Sequence, residues 1–163
     1  MDGCEHAYHA TAAYYQPEKV GKKVVLIGGG LIGCEVALHL AELDKEVTIL
    51  EISDKLARDA NMFHRPTMFE CMEKKKDKIH SILNASTTAI KKNGVVYNDA
   101  SGNEQFVEAD TMLYAVGSIA DTAIVEELRA WDGWEYFRPI GDCTGASIIR
   151  KAVHGGYYAA LDI

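Results

Sequence analysis

Residues 22–51 read KKVVLIGGGLIGCEVALHLAELDKEVTILE, and the fold class follows from the order of their parts. Residues 23–27 are a short β-branched run ended by three glycines, the pattern of a buried strand. From Leu31 the apolar positions Leu31, Val36, Leu40 and Leu43 keep a near-helical spacing as far as Asp44. Residues 46–50 then form a second apolar strand. Strand, glycine turn, helix and strand make a β-α-β unit of about 30 residues, which predicts a parallel strand pair joined by a right-handed crossover.

The turn Gly28-Gly29-Gly30-Leu31-Ile32-Gly33 satisfies G-x-G-x-x-G. Glycine-rich turns are common, so context decides its meaning. This one follows a strand, opens a helix and is answered by Glu51 at the end of the second strand, about 20 residues on. In a dinucleotide site Gly28 makes the tight turn, Gly30 lets backbone approach a pyrophosphate, and Gly33 lets helix and strand pack closely. Leu31 and Ile32 lie in the first helical turn, whose unpaired N–H groups and dipole favour a phosphate. Glu51 can accept both adenosine-ribose hydroxyls, which predicts NADH. A 2′-phosphate would oppose it: two like charges about 4 Å apart cost about 4 kcal/mol at an effective dielectric of about 20. Lys55 and Arg58 lie just downstream and are the residues that could reach such a phosphate. An S-adenosylmethionine-dependent methyltransferase uses a similar turn and acid. A module that binds ADP or NAD without catalysis is a further alternative.

Outward from this segment, Gln16-Pro17 and Gly21 read as a turn after a polar stretch, so residues 1–20 are expected to be an arm or linker. Met68, Phe69 and Met72 predict a helix with Pro66 in its first turn, ended by the lysine run 74–78. Residues 79–83 read as a third strand. Asn93-Gly94 and Ser101-Gly102-Asn103 mark turns in a three-stranded meander of residues 87–90, 95–97 and 105–107. Residues 111–115 form a strand ending at Gly117, residues 123–130 a short helix, 136–140 a last strand and 147–163 a closing helix. Gly155-Gly156 inside that helix costs about 1 kcal/mol per glycine relative to alanine, which predicts close backbone packing or a break.

The chain has 163 residues, 48% of them apolar and 25% charged, with net charge −7. Such a composition excludes disorder and collagen, and the negative charge disfavours nucleic acid as a partner. No apolar run approaches the roughly 18 to 20 residues of a membrane span. The N-terminus carries neither the basic nor the apolar region of a signal or transit peptide, and a cytoplasmic protein is expected. Cys4, Cys34, Cys71 and Cys143 are scattered without C-x-x-C and read as free thiols. Cys4, His6 and His9 lie close in sequence without a fourth ligand, so no metal site is assigned. Tyr15 and Lys19 form Y-x-x-x-K, but ahead of the nucleotide turn, where that pattern supplies no catalytic acid. Cys143 reads as an inert thiol beside Asp142. His64, His80, His154, Trp131 and Trp134 attach to no motif.

Three stretches together, residues 21–51, the segment ADTMLYAVGS and the segment RPIGDCTGASIIRKAVHGGYYAALDI, resemble the pyridine nucleotide-dependent flavin oxidoreductases with two dinucleotide domains. They are most similar to the C-terminal portion of the old yellow enzyme-like NADH:flavin oxidoreductases, the group of 2,4-dienoyl-CoA reductase and 2-enoate reductase. The resemblance implies a three-layer α/β Rossmann-type NAD(P)-binding domain with a β-meander at residues 21–112. It implies that residues 113–163 are the C-terminal piece of an incomplete FAD domain. It places Gly117 at the return to the flavin domain, Asp142 near the ribityl or phosphate part of FAD, and Glu35 near the nicotinamide. Glu35 as a first-turn acid and Asp142 as a helix cap are the structural alternatives. There is one dinucleotide fingerprint, and no sequence for the upstream flavin half, a catalytic barrel or an iron-sulfur cysteine cluster. The remaining flavin and catalytic domains of a larger parent chain, or a second copy of this one, are therefore the expected partners. No side chain here is expected to be catalytic, and the chain alone is expected not to turn over.

Overall fold

The computed structural model describes residues 2–58 and 60–162; residues 1 and 163, the outer ends of the expected arm and flavin segment, lie outside it. The chain divides after Gly117 into two compact units. In the first, strand β1 (Ala7–His9) and the short helix α1 (Ala12–Tyr15) precede the central β-α-β unit of β2 (Lys23–Ile27), α2 (Leu31–Glu42) and β3 (Glu46–Leu50). Strands β2 and β3 are parallel, with Val24 opposite Val47 and Ile27 opposite Leu50. Helix α3 (His64–Glu73), with Pro66 in its first turn, leads to β4 (Ile79–Ile82) beside β3. The meander is β5 (Ser86–Lys91), β6 (Gly94–Asn98) and β7 (Glu104–Glu108), all antiparallel. Strand β8 (Thr111–Tyr114) then returns to lie beside β2. The parallel sheet has the order β1-β8-β2-β3-β4.

Alternation along the strands explains the three layers. Val24, Leu26, Val47, Ile49 and Leu113 face a core made with Val36, Ala37 and Leu40 of α2 and Met68 and Met72 of α3. Val25, Ile27, Leu50 and Met112 face the opposite way, against Ile90, Val95 and Tyr97 of the meander. Both faces of the sheet are thus covered, which is why its strands are nearly continuous apolar runs. Leu26, Leu40 and Leu113 are fully buried, each worth about 1.5–3 kcal/mol relative to exposure.

Two expectations about the first unit need correction. Residues 7–15 are no arm: β1 pairs with β8, Ala7 opposite Met112, and Ala10 and Ala13 are fully buried against the α2 side of the sheet. Small residues let this segment lie flat on the core, and their weak apolar signal hides the contact. The expected boundary at 112/113 cuts through β8, whose Leu113 is fully buried; the compact unit ends instead at Gly117.

The second unit holds helix α4 (Ala123–Ala130), a 3-10 turn at Gly141–Thr144 and helix α5 (Ile149–Leu161). Residues 136–140 do not form the expected strand. Among the described residues this unit has no other strand to take up their backbone hydrogen bonds. Helix α5 passes through Gly155-Gly156 unbroken. A Cβ at either glycine would make only ordinary van der Waals contact with the Ile140 side chain, so neither the expected break nor a backbone approach that requires glycine is found there. Val125 alone is buried among the described residues after Gly117. No helix among the described residues is long and apolar enough to cross a membrane.

Candidate functional site

From β2 the chain winds outward through β3 to β4, while β8 and β1 lie on the other side of β2. That reversal is a topological switch point, and in open parallel sheets ligands bind there, outside the carboxyl ends of the strands. The glycine turn stands at this point. Gly28 follows β2 at φ 100°, and a Cβ on it would sit 2.4 Å from the Ala115 carbonyl oxygen. Its N–H donates to the Leu50 carbonyl at 2.8 Å, and the Ala115 N–H to the Ile27 carbonyl at 2.7 Å. The turn is thereby held between the ends of β3 and β8. A Cβ on Gly33 would stand 2.1 Å from the Gly28 carbonyl oxygen, so α2 crosses the turn at a distance only glycine allows.

Gly30 differs from these two. It is the N-cap of α2 with ordinary extended backbone (φ −66°, ψ −173°), and a Cβ there would meet no atom within 4 Å. Internal packing therefore does not require glycine at this position. The open space adjoins the first turn of α2, Leu31-Ile32-Gly33, which carries neither an acidic residue nor a side-chain cap. An anion could take the place of that missing cap.

Glu51, just past β3, closes the turn. Its Oε2 accepts the Gly29 N–H at 2.6 Å, while Oε1 accepts the Ser53 N–H at 2.8 Å and the Ser53 hydroxyl at 2.7 Å. Burial pushes the Glu51 carboxyl upward, but the bonds from Ser53 and Gly29 prevail and hold it below its ordinary range. A carboxylate so held is ionised throughout the neutral range. Ser53, which supports Glu51, and Ala57, which supports Gly29, carry no signal in the spacing of the fingerprint. Ala57 is buried with φ 46°, and its N–H donates to the Gly29 carbonyl at 2.7 Å, folding the loop after β3 back onto the turn.

Glu35, on α2, faces the start of α3: its Oε1 lies 3.2 Å from His64 Nε2, both side chains being half exposed. Burial, and then the Glu35 charge, push the Tyr14 phenol upward, and Tyr14 stacks on His39 with ring centroids 4.6 Å apart. Tyr14 and His64 belong with Glu35, a grouping made by packing across separations of 21 and 29 residues that no local motif records. Cys34 is buried in the same region, its thiol pushed up to about 11 by burial and by Glu51, and it donates to the Gly29 carbonyl. It is unreactive. His9 bonds to Thr11 through Nδ1 at 2.8 Å.

Gly117 ends the first unit at φ 98° with open space around it. Asp142 lies in the second unit, where its Oδ1 accepts the Ser147 N–H at 3.2 Å, a local bond of the kind that orders a loop before a helix. It lines a cavity of about 380 Å³ together with Arg138, Gly141, Thr144, Ser147 and Lys151. The Cys143 thiol donates to the Ile140 carbonyl.

The sequence profile of the pyridine nucleotide-disulphide oxidoreductases matches residues 2–134. The chain belongs to that family. Among relatives of these oxidoreductases, the bilirubin reductase of Mediterraneibacter gnavus (strain CC55_001C) is 32% identical over 156 residues, covering 95% of this chain and 24% of its own length. The cinnamate reductase of Clostridium sporogenes is 32% identical over 166 residues, covering 100% of this chain and 24% of its own. The solved structure of 2-naphthoyl-CoA reductase with 2-naphthoyl-CoA matches at TM-score 0.88 and 30% identity, over 100% of this chain and 24% of that one. The chain therefore spans 24% of the length of each of these three proteins. The resemblance to enoate reductase-like flavin oxidoreductases read from the motifs is borne out by these matches.

Proposed function

We propose that the first unit holds NADH for a flavin-dependent reductase, and that the second contributes one edge of the flavin site in a larger parent enzyme. The observation that carries the reading is the open cradle at Gly30 combined with the Glu51 carboxylate fixed on Gly29 at the switch point. Gly30 and the first turn of α2 would receive the pyrophosphate, and Glu51 the adenosine ribose. Glu35 lies on α2 beyond the pyrophosphate end and would orient the nicotinamide. Bound NADH supplies a hydride to the flavin; the side chains described here bind and orient, and none acts as an acid or nucleophile.

For the second unit, Gly141, Asp142 and the open end of α5 fit one side of a flavin site, with Asp142 toward the ribityl or phosphate part and Gly117 marking the return to that domain. The apolar surface of this unit supports the assignment. Ile119, Ile149 and Val153 are exposed, as surface covered by the rest of a flavin domain or by a second copy would be.

Titration of the chain with NADH, NADPH and ADP tests the reading. NADH is expected to bind most tightly, and ADP binding equal to NADH would favour the adenine-nucleotide module instead. Competition by S-adenosylmethionine would revive the methyltransferase alternative, which family membership opposes. Stoichiometric FAD absorbance from this chain alone would overturn the assignment of the second unit as one part of a flavin site.

A further inference from the structure

The loop after β3 carries a cation that can recognise a 2′-phosphate, and the same loop keeps that cation occupied. Its backbone is fixed at both ends. Ser53 is tied to Glu51 by two hydrogen bonds, and the Ser53 carbonyl accepts the Asn84 N–H at 3.0 Å. Ala57, buried and in a left-handed conformation alanine rarely adopts, is pinned to the Gly29 carbonyl; such a residue persists only where its surroundings over-determine it. Arg58 follows directly, so its Cα is set beside the glycine turn. Its guanidinium, 61% exposed, pairs with Asp54 Oδ1 at 2.6 Å.

We propose that Asp54 is a specificity-determining residue that excludes NADPH by occupying Arg58, the group that would otherwise bind the adenosine 2′-phosphate. The inference rests on the nucleotide site proposed above. Glu51 already favours a ribose with free hydroxyls, but an arginine next to the site would compensate its charge and admit a phosphate. The Arg58 charge does act on the Glu51 carboxylate, helping to hold it low. Asp54 offsets that compensation in two ways, by holding the guanidinium in an ion pair that an incoming phosphate must displace and by adding a second negative charge to the loop. Both partners are exposed, so the pair contributes little to the fold and its role is open to a clean substitution.

The test uses the full chain and two probes that differ only at the 2′ position, adenosine 5′-monophosphate and adenosine 2′,5′-bisphosphate, followed by calorimetry or fluorescence. Asp54→Asn is expected to tighten the bisphosphate by about three- to tenfold while the monophosphate changes by less than about twofold, the scale of one released exposed ion pair plus one removed repulsion. Asp54→Glu, which keeps the carboxylate, should show no gain, and the double variant Asp54→Asn/Arg58→Ala should lose it. An equal change for both probes in Asp54→Asn overturns the role of Asp54. A gain that survives in the double variant transfers the phosphate to another cation, Lys55 being the neighbour, and overturns the role of Arg58. Failure of the unaltered chain to bind NADH or the monophosphate overturns the underlying nucleotide site, and with it this inference.

Discussion

The three glycines of the fingerprint are under different constraints, and substitution should separate them. A Cβ at Gly33 collides with the Gly28 carbonyl, backbone against backbone, whereas one at Gly30 enters open space. Gly33→Ala is therefore expected to lower stability by about 1–3 kcal/mol, the usual cost of forcing atoms into a packed site. Gly30→Ala should leave the denaturant midpoint unchanged and, on the proposed reading, weaken NADH by about tenfold or more, about 1.4 kcal/mol, because the new methyl would enter the open space proposed for the pyrophosphate. Equal losses of stability would show that Gly30 is a packing residue. Glu51 gives a pH test. Its carboxyl sits below the unfolded value, so its contribution is complete above the ordinary carboxylate pKa of about 4.3 and is lost as pH falls through the lower folded value. Thermal melts from pH 6 down to pH 3 should show this loss, and Glu51→Gln should flatten that part of the curve.

At the level of elements, the β-α-β unit and the meander were legible because their signals are local. Strands β2 and β3 are runs of β-branched and aliphatic residues, and the turns at Asn93-Gly94 and Gly102 punctuate the meander. Strand β1 was not legible, since Ala7-Tyr8-His9 has no strand pattern and its place comes from β8, more than 100 residues later. The contact is strong enough to test. Ala13→Asp, which places a carboxylate in a fully buried position, should lower stability by about 3–5 kcal/mol. Tyr15→Ser, at an exposed position, should stay within about 0.5 kcal/mol. A urea midpoint unmoved by Ala13→Asp would mean that the segment is the arm its composition suggests.

Over the whole molecule the two units differ in how much they bury. The first has a core on each face of its sheet, while α5 in the second has no buried residue among those described. Segments with few buried contacts open most readily. Trypsin is therefore expected to cut at Arg129 and Lys151 before it cuts within residues 23–114, and amides of α5 should exchange ahead of those in β2 and β3. Reversal of that order would show that the second unit is stabilised by contacts of its own. The expected strand at residues 136–140, which contains Arg138 and Pro139, did not form because among the described residues the second unit has no strand to exchange hydrogen bonds with it.

The sequence by itself determined the class of fold and the place of the glycine turn, because strand, glycines, helix and acid are read from neighbours within 30 residues. It also determined the family, since its three motifs keep their order and spacing. Only the tertiary structure decided that residues 7–15 belong to the core, that Glu51 closes on Gly29, that His64 meets Glu35, and that Asp54 holds Arg58 beside the turn. Most of these are contacts between distant segments, and even the four-residue step from Asp54 to Arg58 depends on a loop that Ala57 anchors to Gly29. Local patterns record the propensity of a segment and say nothing of what it will meet, so such contacts exist only once the chain has closed on itself.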